Sequence, residues 1–179
     1  MEKIKSTTIL AVRREDITVM GGDGQVTLGS SVIKHTARKI RKIYKDSILV
    51  GFAGSAADGL ALMERLEGKL EEFRGNLLKA CVELAKDWRM DRSLRRLEAL
   101  LLVADRERML LLSGNGDIIE PEEPVLAIGS GGDYARAAAL ALYRNTYLSA
   151  EEIVRESLKI AGEICIYTNQ NFVIEKLEA

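Results

Sequence analysis

The order of strand-like and helix-like segments is the feature that most constrains how this chain can fold. Runs rich in apolar and β-branched residues, typical of strands, fall at 7–14, 17–20, 25–28, 47–53, 98–104, 109–113, 118–119, 125–128 and 172–177. Helical periodicity falls at 60–70, 77–90, 133–143 and 149–164, the last opening with a capping box from Ser149 to Glu152. The blocks run strands, two helices, strands, two helices, strand. This order predicts an α+β fold of antiparallel sheets with helix pairs packed outside, and it does not fit a βαβ alternation.

The length and composition favour a single globular domain. The chain has 179 residues, 47% of them hydrophobic and 30% charged, which is enough to bury a sizeable core. A net charge of -1 gives no electrostatic footprint for nucleic acid, and no apolar run approaches the roughly 20 residues that span a membrane. Cys81 and Cys165 are the only cysteines, and the N-terminus lacks the apolar core of a signal peptide. We therefore expect a cytoplasmic chain without a disulfide framework.

Several common chemistries lack their motifs. There is no G-x-x-x-x-G-K-[ST] loop, and the Gly-rich segment 129–132 continues as Asp133-Tyr134, so it fails G-x-G-x-x-G. Ile128 stands where the first glycine of G-x-S-x-G is required. His35 is the only histidine and lies in a polar, basic stretch, so we interpret it as a surface residue. This argues against Ser-His and Cys-His hydrolases and gives little support to a transition-metal site.

A small set of residues near predicted turns remains chemically interesting. Taken singly, each has an ordinary structural explanation. Thr7 starts a strand, Asp23 is a turn residue between glycines, Lys39 is one of several solvated cations, and Gly51 is a strand glycine. Ser130 lies in a Gly-rich loop. Periodicity alone would not select any of them.

Eight short segments, collinear from Thr7 to about Glu175, resemble the HslV family of proteasome-like peptidase subunits. They are 7–9 (TTI), 21–25 (GGDGQ), 51–54 (GFAG), 84–89 (LAKDWR), 94–99 (LRRLEA), 113–117 (SGNGD), 128–132 (IGSGG) and 164–169 (ICIYTN). The resemblance implies an N-terminal-nucleophile hydrolase fold, a four-layer αββα sandwich of two antiparallel sheets. It implies an allosteric, ATP-dependent threonine endopeptidase without an organic cofactor.

The resemblance also implies an assembly. Family members form a homododecamer of two stacked hexameric rings, with active sites facing an inner chamber. The partner is a hexameric ATPase, HslU (ClpY), which consumes the ATP and threads unfolded protein substrates into the chamber. No nucleic acid and no membrane are expected as partners.

By its match to the family, Thr7 is the nucleophile and its own α-amine is the base. An α-amine has an unperturbed pKa of about 8, which suits a chain without a catalytic histidine. Lys39 is expected beside the hydroxyl, where its charge lowers the pKa of the amine, and Asp23 is expected to pair with Lys39 and hold it. The Gly51 N–H is the expected oxyanion donor. Ser130 is expected to hydrogen-bond near the amine and relay the proton.

Two further groups of residues follow from the same match. Val50 and Ala53 are expected to line the pocket for the substrate side chain. Gly162, Cys165 and Thr168 match positions where the family binds a monovalent cation, expected to be sodium, through backbone carbonyls. Unpaired carbonyls gather at a helix C-terminus, so a cation is physically reasonable there. The alternative is a plain helix end with a buried Cys165.

The mechanism requires Thr7 to become the first residue. We therefore expect residues 1–6 to be a leader that is removed on maturation and 7–179 to be a single peptidase domain. The family often has proline where Asp133 stands, and Ser6 is an unusual residue before the nucleophile. The route of processing stays open between autocatalysis and trimming by another peptidase.

Two alternatives remain at this point. One is another N-terminal-nucleophile amidohydrolase that acts on small amides without ring assembly. The other is a proteasome-like subunit that keeps ring contacts and has lost catalysis. Loss of Thr7, Asp23 or Lys39 would have indicated the second, and all three are present.

Overall fold

The computed structural model describes residues 4–178, with side chains from residue 7 onward. Its strands are β1 Ile4–Ser6, β2 Thr8–Arg14, β3 Ile17–Asp23, β4 Val26–Leu28, β5 Ser31–Lys34, β6 Ile40–Ile43, β7 Ile48–Gly54, β8 Ala99–Ala104, β9 Met109–Ser113, β10 Ile118–Ile119, β11 Val125–Gly129 and β12 Phe172–Leu177. Its helices are α1 Ala56–Glu72, α2 Leu77–Met90, α3 Gly132–Asn145 and α4 Ala150–Ile164.

Two antiparallel sheets stack face to face and carry a helix pair on each outer face. One sheet has the order β10-β9-β8-β7-β6 and the other has the order β11-β2-β3-β12. Buried residues of the first sheet pack against α1 and α2, and those of the second pack against α3 and α4. A third apolar cluster lies between the sheets and includes Ile9, Met20, Leu49 and Leu102. The predicted four-layer αββα arrangement is confirmed.

Helices α1, α2 and α4 begin where the sequence supplies a capping side chain, whereas α3 follows Gly131 without one. Ser149 accepts a hydrogen bond from the Glu152 N–H, and the Glu152 carboxylate accepts from the Ser149 N–H, which completes the predicted capping box. Asn76 caps α2 through the Lys79 N–H, and Ser55 caps α1 through the Asp58 N–H. The predicted bounds of α2, β9, β10 and β12 agree with the structure.

Three strands were not predicted from the sequence: β1, which lies in the expected leader, and β5 and β6. All four residues of β5 are exposed, so this strand has no buried face to produce an alternating pattern. β6 buries only its end residues, Ile40 and Ile43, around a charged pair. β5 and β6 flank His35, which we interpreted as a surface residue, and β6 leads directly from Lys39.

A small third sheet joins the start of the chain to the site. Its order is β1-β4-β5, and β1 pairs antiparallel with β4 so that Lys5 lies opposite Thr27 and Ser6 opposite Val26. Thr7 lies between β1 and β2 and therefore connects this sheet to the four-stranded one. The predicted leader is thus partly held as a β-strand in this structure.

Candidate active site around Thr7

Thr7 occupies a buried and strained position. It has no exposed surface, and its φ is 76°, in the left-handed region that a β-branched residue rarely adopts. Its carbonyl accepts a hydrogen bond from the Ser130 N–H at 3.1 Å, and its hydroxyl donates to the Gln25 carbonyl at 3.4 Å. Backbone strain of this kind persists only where the surroundings enforce it, and it gathers at functional sites.

The Gly-rich segment 129–132, where β11 ends and α3 begins, packs closely against the Thr7 backbone. Gly129 has a φ of 98°, and a Cβ atom built on it would lie 1.8 Å from the Thr7 carbonyl oxygen. A Cβ atom on Gly131 would lie 2.3 Å from Thr8 Oγ1. Both positions therefore require glycine, because any side chain would displace the candidate nucleophile or its neighbour.

Asp23 ends β3 beside Thr7 and is 1% exposed. Its Oδ1 accepts from the Thr8 N–H at 2.8 Å, and its Oδ2 accepts from the N–H groups of Gln25 at 3.2 Å and Asn169 at 3.0 Å. Burial raises the pKa of Asp23 above its ordinary value, while these three N–H donors and the charge of Lys39 oppose the rise. The carboxylate thus ties three backbone segments together at the site.

Lys39 is buried, and its ammonium group makes no hydrogen bond to any residue that the structure describes. Only 3% of the residue is exposed. Burial lowers the pKa of Lys39 from 10.5 to about 8, and the charge of Asp23 opposes this shift. The sequence predicted that Asp23 pairs with Lys39, and the structure brings them into one electrostatic site without a direct hydrogen bond. The interpretation of Lys39 as a solvated cation is wrong.

Ser130 contacts Thr7 through its backbone, and Gly51 lies in the interior of β7. The Ser130 backbone N–H contacts Thr7, whereas the Ser130 side chain is exposed. Gly51 lies in β7 opposite Ile40 and Leu102, and a Cβ atom there would lie 2.7 Å from Ile9 Cγ2. Tight packing alone thus explains glycine at position 51, and its role as the oxyanion donor stays a prediction.

The prediction that Val50 lines the substrate pocket is wrong. Val50 has no exposed surface and packs in the apolar cluster beneath α1 and α2. Ala53 belongs to the other face of β7, in the cluster between the sheets. Side chains alternate between the two faces of a strand, so these two residues cannot share a pocket.

The segment after α4 packs against both Thr8 and the Gly-rich segment 129–132, because a Cβ atom on Gly131 would lie 2.8 Å from Thr168 Oγ1. Thr168 Oγ1 lies 2.8 Å from Thr8 Oγ1 in a hydrogen bond whose donor is either hydroxyl. Gln25 Nε2 donates to the Ile166 carbonyl at 2.9 Å, and the Asn169 N–H donates to Asp23. Gln25 and Asn169 were not singled out from the sequence, although both lie within segments that carry the family resemblance.

The three residues predicted to hold a cation also lie in and after α4. The Cys165 N–H donates to the Ala161 carbonyl at 2.7 Å, the last hydrogen bond of helical type before the helix ends. The Gly162 carbonyl lies beyond that bond, and the Cys165 carbonyl accepts from the Thr168 N–H. A carbonyl oxygen has two lone pairs, so this arrangement leaves acceptors of the type that hard cations bind.

Two further features are absent from residues 4–178. No group of three or more His, Cys, Asp or Glu side chains suited to a metal ion occurs within that range. None of the helices within the same range is long and apolar enough to cross a membrane.

Comparison with known proteins places this site in a family. The profile of the proteasome subunit family matches residues 4–177. The chain belongs to the proteasome subunit family. A protein of Aquifex aeolicus named ATP-dependent protease subunit HslV is 81% identical over 175 residues, which cover 98% of this chain and 99% of that protein. A protein of the same name from Sulfurihydrogenibium is 74% identical over 178 residues, covering 99% of this chain and 100% of that protein.

Solved structures agree with the family assignment. The crystal structure of eukaryotic HslV from Trypanosoma brucei superposes with a TM-score of 0.92 at 49% identity, covering 96% of this chain and 99% of that one. BPH from Thiobacillus denitrificans in complex with epoxomicin gives a TM-score of 0.73 at 20% identity, covering 96% of this chain and 98% of that one. The second match supports the fold alone. This member of the proteasome family therefore has the architecture of an HslV-type peptidase.

Proposed function

We propose that Thr7, once freed of Met1–Ser6, is the nucleophile with which this HslV-type protease subunit hydrolyses peptide bonds. The observation that carries the proposal is the meeting of a buried, strained Thr7 with two buried charged groups, Asp23 and Lys39, in a chain with one exposed histidine. A threonine hydroxyl is a poor nucleophile and needs a base. The free α-amine of Thr7 is the base that such a site can supply.

The reaction proceeds through an acyl-enzyme in this proposal. Thr7 Oγ1 bonds to the substrate carbonyl carbon while the hydroxyl proton passes to the α-amine, with Ser130 assisting the transfer. The Lys39 charge favours the neutral amine and the developing negative charge, and the Gly51 N–H donates to the oxyanion. The amine returns the proton to the leaving nitrogen as the C–N bond breaks. Water then hydrolyses the ester and frees Thr7.

The leader must leave before this chemistry is available. While Ser6 is attached, the Thr7 nitrogen is an amide and cannot act as a base. Pairing of β1 with β4 supports the view that the uncleaved chain is a zymogen whose leader lies along the strand Val26–Leu28.

Intact mass and peptide hydrolysis test the proposal together. Wild-type protein is expected to lack Met1–Ser6 and to cleave a fluorogenic peptide, whereas Thr7→Ala is expected to lose hydrolysis by roughly three orders of magnitude or more. Thr18→Ala is the matched control, since it removes another buried threonine whose hydroxyl donates to the Asp105 carbonyl at 3.0 Å. Near-wild-type turnover by Thr7→Ala would overturn the assignment. If Thr7→Ala also keeps its leader, processing is autocatalytic, and if it is trimmed, another peptidase acts.

The names of the relatives support a partner and an assembly. Both close relatives are named as subunits of an ATP-dependent protease. We propose a homododecamer of two stacked hexameric rings that receives unfolded proteins from the hexameric ATPase HslU, which alone uses ATP. Native mass spectrometry measures the subunit number, and a hexamer or a monomer as the active species would contradict the dodecamer.

We propose that a sodium ion binds the backbone carbonyl groups of Gly162, Cys165 and Thr168. Bound there, the ion would supply charge at the C-terminal end of α4 and fix the segment 165–169 against Thr8. We propose this as a structural role, because the segment already contacts the site through Thr168 and Asn169. Replacing sodium by choline is expected to lower the thermal unfolding temperature, and an unchanged temperature would contradict the site.

No observation favours the small-molecule amidohydrolase. Relatives at 81% and 74% identity over nearly the whole chain carry the name of a protease subunit. Cys81 and Cys165 are both free and buried, which supports the proposed location in the reducing cytoplasm.

A further inference from the structure

The Asn169 side chain connects two loops that each carry one charged residue of the site. Its Oδ1 accepts from the Gly24 N–H at 3.2 Å and from the Asn171 N–H at 3.1 Å. Its Nδ2 donates to the His35 carbonyl at 2.9 Å. Gly24 follows Asp23 directly, and His35 opens the link between β5 and β6 that contains Lys39. A single amide thus bridges the Asp23 turn and the Lys39 segment.

The two loops approach too closely for a side chain to separate them. A Cβ atom on Gly24 would lie 2.4 Å from the His35 carbonyl oxygen. The Ala37 N–H also donates to the Gly24 carbonyl at 2.9 Å, two residues before Lys39. The backbone N–H of Asn169 also donates to Asp23 Oδ2 at 3.0 Å, so Asn169 holds the Asp23 turn through its backbone as well as through its side chain.

Lys39 depends on this backbone for its position. Its Nζ has no hydrogen-bond partner among the described residues, so no polar contact of its own fixes the ammonium group. The Coulomb attraction between Lys39 and Asp23 falls with distance and does not select one geometry. The Lys39 backbone is anchored to β7, because the Phe52 N–H donates to the Lys39 carbonyl at 3.2 Å. The separation of the two charges therefore depends on how the Asp23 turn is held against the Lys39 segment.

We propose that Asn169 is a positioning residue that sets the spacing between Asp23 and Lys39 and thereby the rate of the step at Thr7. The inference rests on the proposed roles of Asp23 and Lys39. It requires both halves of the amide, since Oδ1 holds the Asp23 turn and Nδ2 holds the Lys39 segment. An aspartate at this position has the same shape and lacks the donor.

The test compares Asn169→Asp and Asn169→Ala with wild type as mature, assembled enzyme, using a small fluorogenic peptide. Both variants are expected to lower kcat by roughly 10- to 100-fold, the effect of a displaced catalytic group. KM is expected to stay within about twofold, because Asn169 does not touch the peptide in this proposal. The rate at which a peptide vinyl sulfone modifies Thr7 is expected to fall in parallel with kcat.

Asn171→Ala is the matched control. The Asn171 side chain donates to the same His35 carbonyl at 3.1 Å, so this hydrogen bond reaches the Lys39 segment without bridging it to the Asp23 turn. The control variant is expected to keep kcat within about twofold and to lower the unfolding temperature slightly, because it removes one hydrogen bond. A purely structural role for Asn169 would lower the unfolding temperature of both variants and leave kcat of the assembled enzyme unchanged.

Lys39→Ala in the same series distinguishes a failure of the positioning role from a failure of the proposed site. If Lys39→Ala is inactive and both Asn169 variants keep wild-type kcat, the positioning role is overturned and the proposed site stands. If Lys39→Ala itself keeps wild-type kcat, the proposed site is wrong and the positioning role fails with it. Loss of kcat in both Asn169 variants, with KM and the Asn171→Ala control unchanged, supports the inference.

Discussion

The carboxylate of Asp23 and the ammonium group of Lys39 lie in one buried site, yet Asp23 directs its hydrogen bonds to backbone N–H groups. Three such groups meet its two oxygens, while Lys39 Nζ has no hydrogen-bond partner within the described part of the chain. A buried cation without hydrogen bonds loses its hydration and gains little in return, which is why the pKa of Lys39 falls to about 8. The site thus keeps a lysine that is mostly charged at pH 7 and loses its proton as the pH rises through a pKa of about 8.

Peptide hydrolysis should decline on the alkaline side near pH 8. The proposed mechanism uses the charge of Lys39, and that charge is lost as the pH rises through a pKa of about 8. The check is kcat/KM for a small peptide between pH 6 and pH 10.5, with the size of the assembly measured at each pH. A rate that stays level to pH 10 would show that Lys39 does not act as a cation.

Asp23→Asn should move that alkaline decline to lower pH and lower kcat. The Asp23 charge raises the pKa of Lys39, so removing the charge lets the pKa of Lys39 fall further below about 8. The amide also loses an acceptor for the N–H groups of Gln25 and Asn169. Asp105→Asn is the control, because Asp105 likewise accepts two backbone N–H bonds in a turn, from Glu107 and Arg108. An unshifted pH profile in Asp23→Asn would contradict the electrostatic coupling.

Two glycine-to-alanine changes should differ in what they affect: Gly129→Ala should abolish activity, and Gly68→Ala should raise stability. Gly129→Ala places a Cβ atom 1.8 Å from the Thr7 carbonyl oxygen at a φ of 98°, so we expect loss of nearly all activity. Gly68→Ala meets no atom within 4 Å in the middle of α1, and it should stabilise the protein by about 0.5–1 kcal/mol with unchanged kcat. Peptide hydrolysis and urea unfolding of both variants provide the measurements. Wild-type activity in Gly129→Ala would mean that the loop can move away from Thr7.

The outer layers of the fold could be predicted from the sequence because their patterns are local. α2 shows apolar residues at helical spacing after an Asn cap, and α4 begins with a complete capping box. β5 and β6 could not be predicted, since β5 buries no side chain and β6 buries only two. Their partners β4 and β7 supply the pairing that makes them strands.

The residues of the candidate site could be predicted only from the family resemblance, because no local sequence pattern identifies them. Thr7, Asp23 and Lys39 are far apart in the sequence, and no local pattern shows that the sheets bring their side chains into one buried site. Lys39 looks like a solvated cation in a basic stretch, and only tertiary packing leaves it 3% exposed. Asn169 was missed because its role depends on contacts with His35 and Gly24, more than 100 positions away.

Lys39→Met should abolish peptide hydrolysis and raise the unfolding temperature at neutral pH. The folded-state pKa of about 8 lies below the ordinary value of 10.5, so the folded state binds the proton less tightly than the unfolded state does. The burial penalty is complete below pH 8, and stability rises with pH between 8 and 10.5 as the folded state releases the proton first. Methionine removes the penalty, so its stabilising effect should be largest at pH 7 and shrink towards pH 10.5. Lys42→Met, at a half-exposed lysine paired with Glu175, should change the unfolding temperature little. If Lys39→Met is less stable than wild type at pH 7, Lys39 is held by favourable contacts, and its pKa is not lowered by burial.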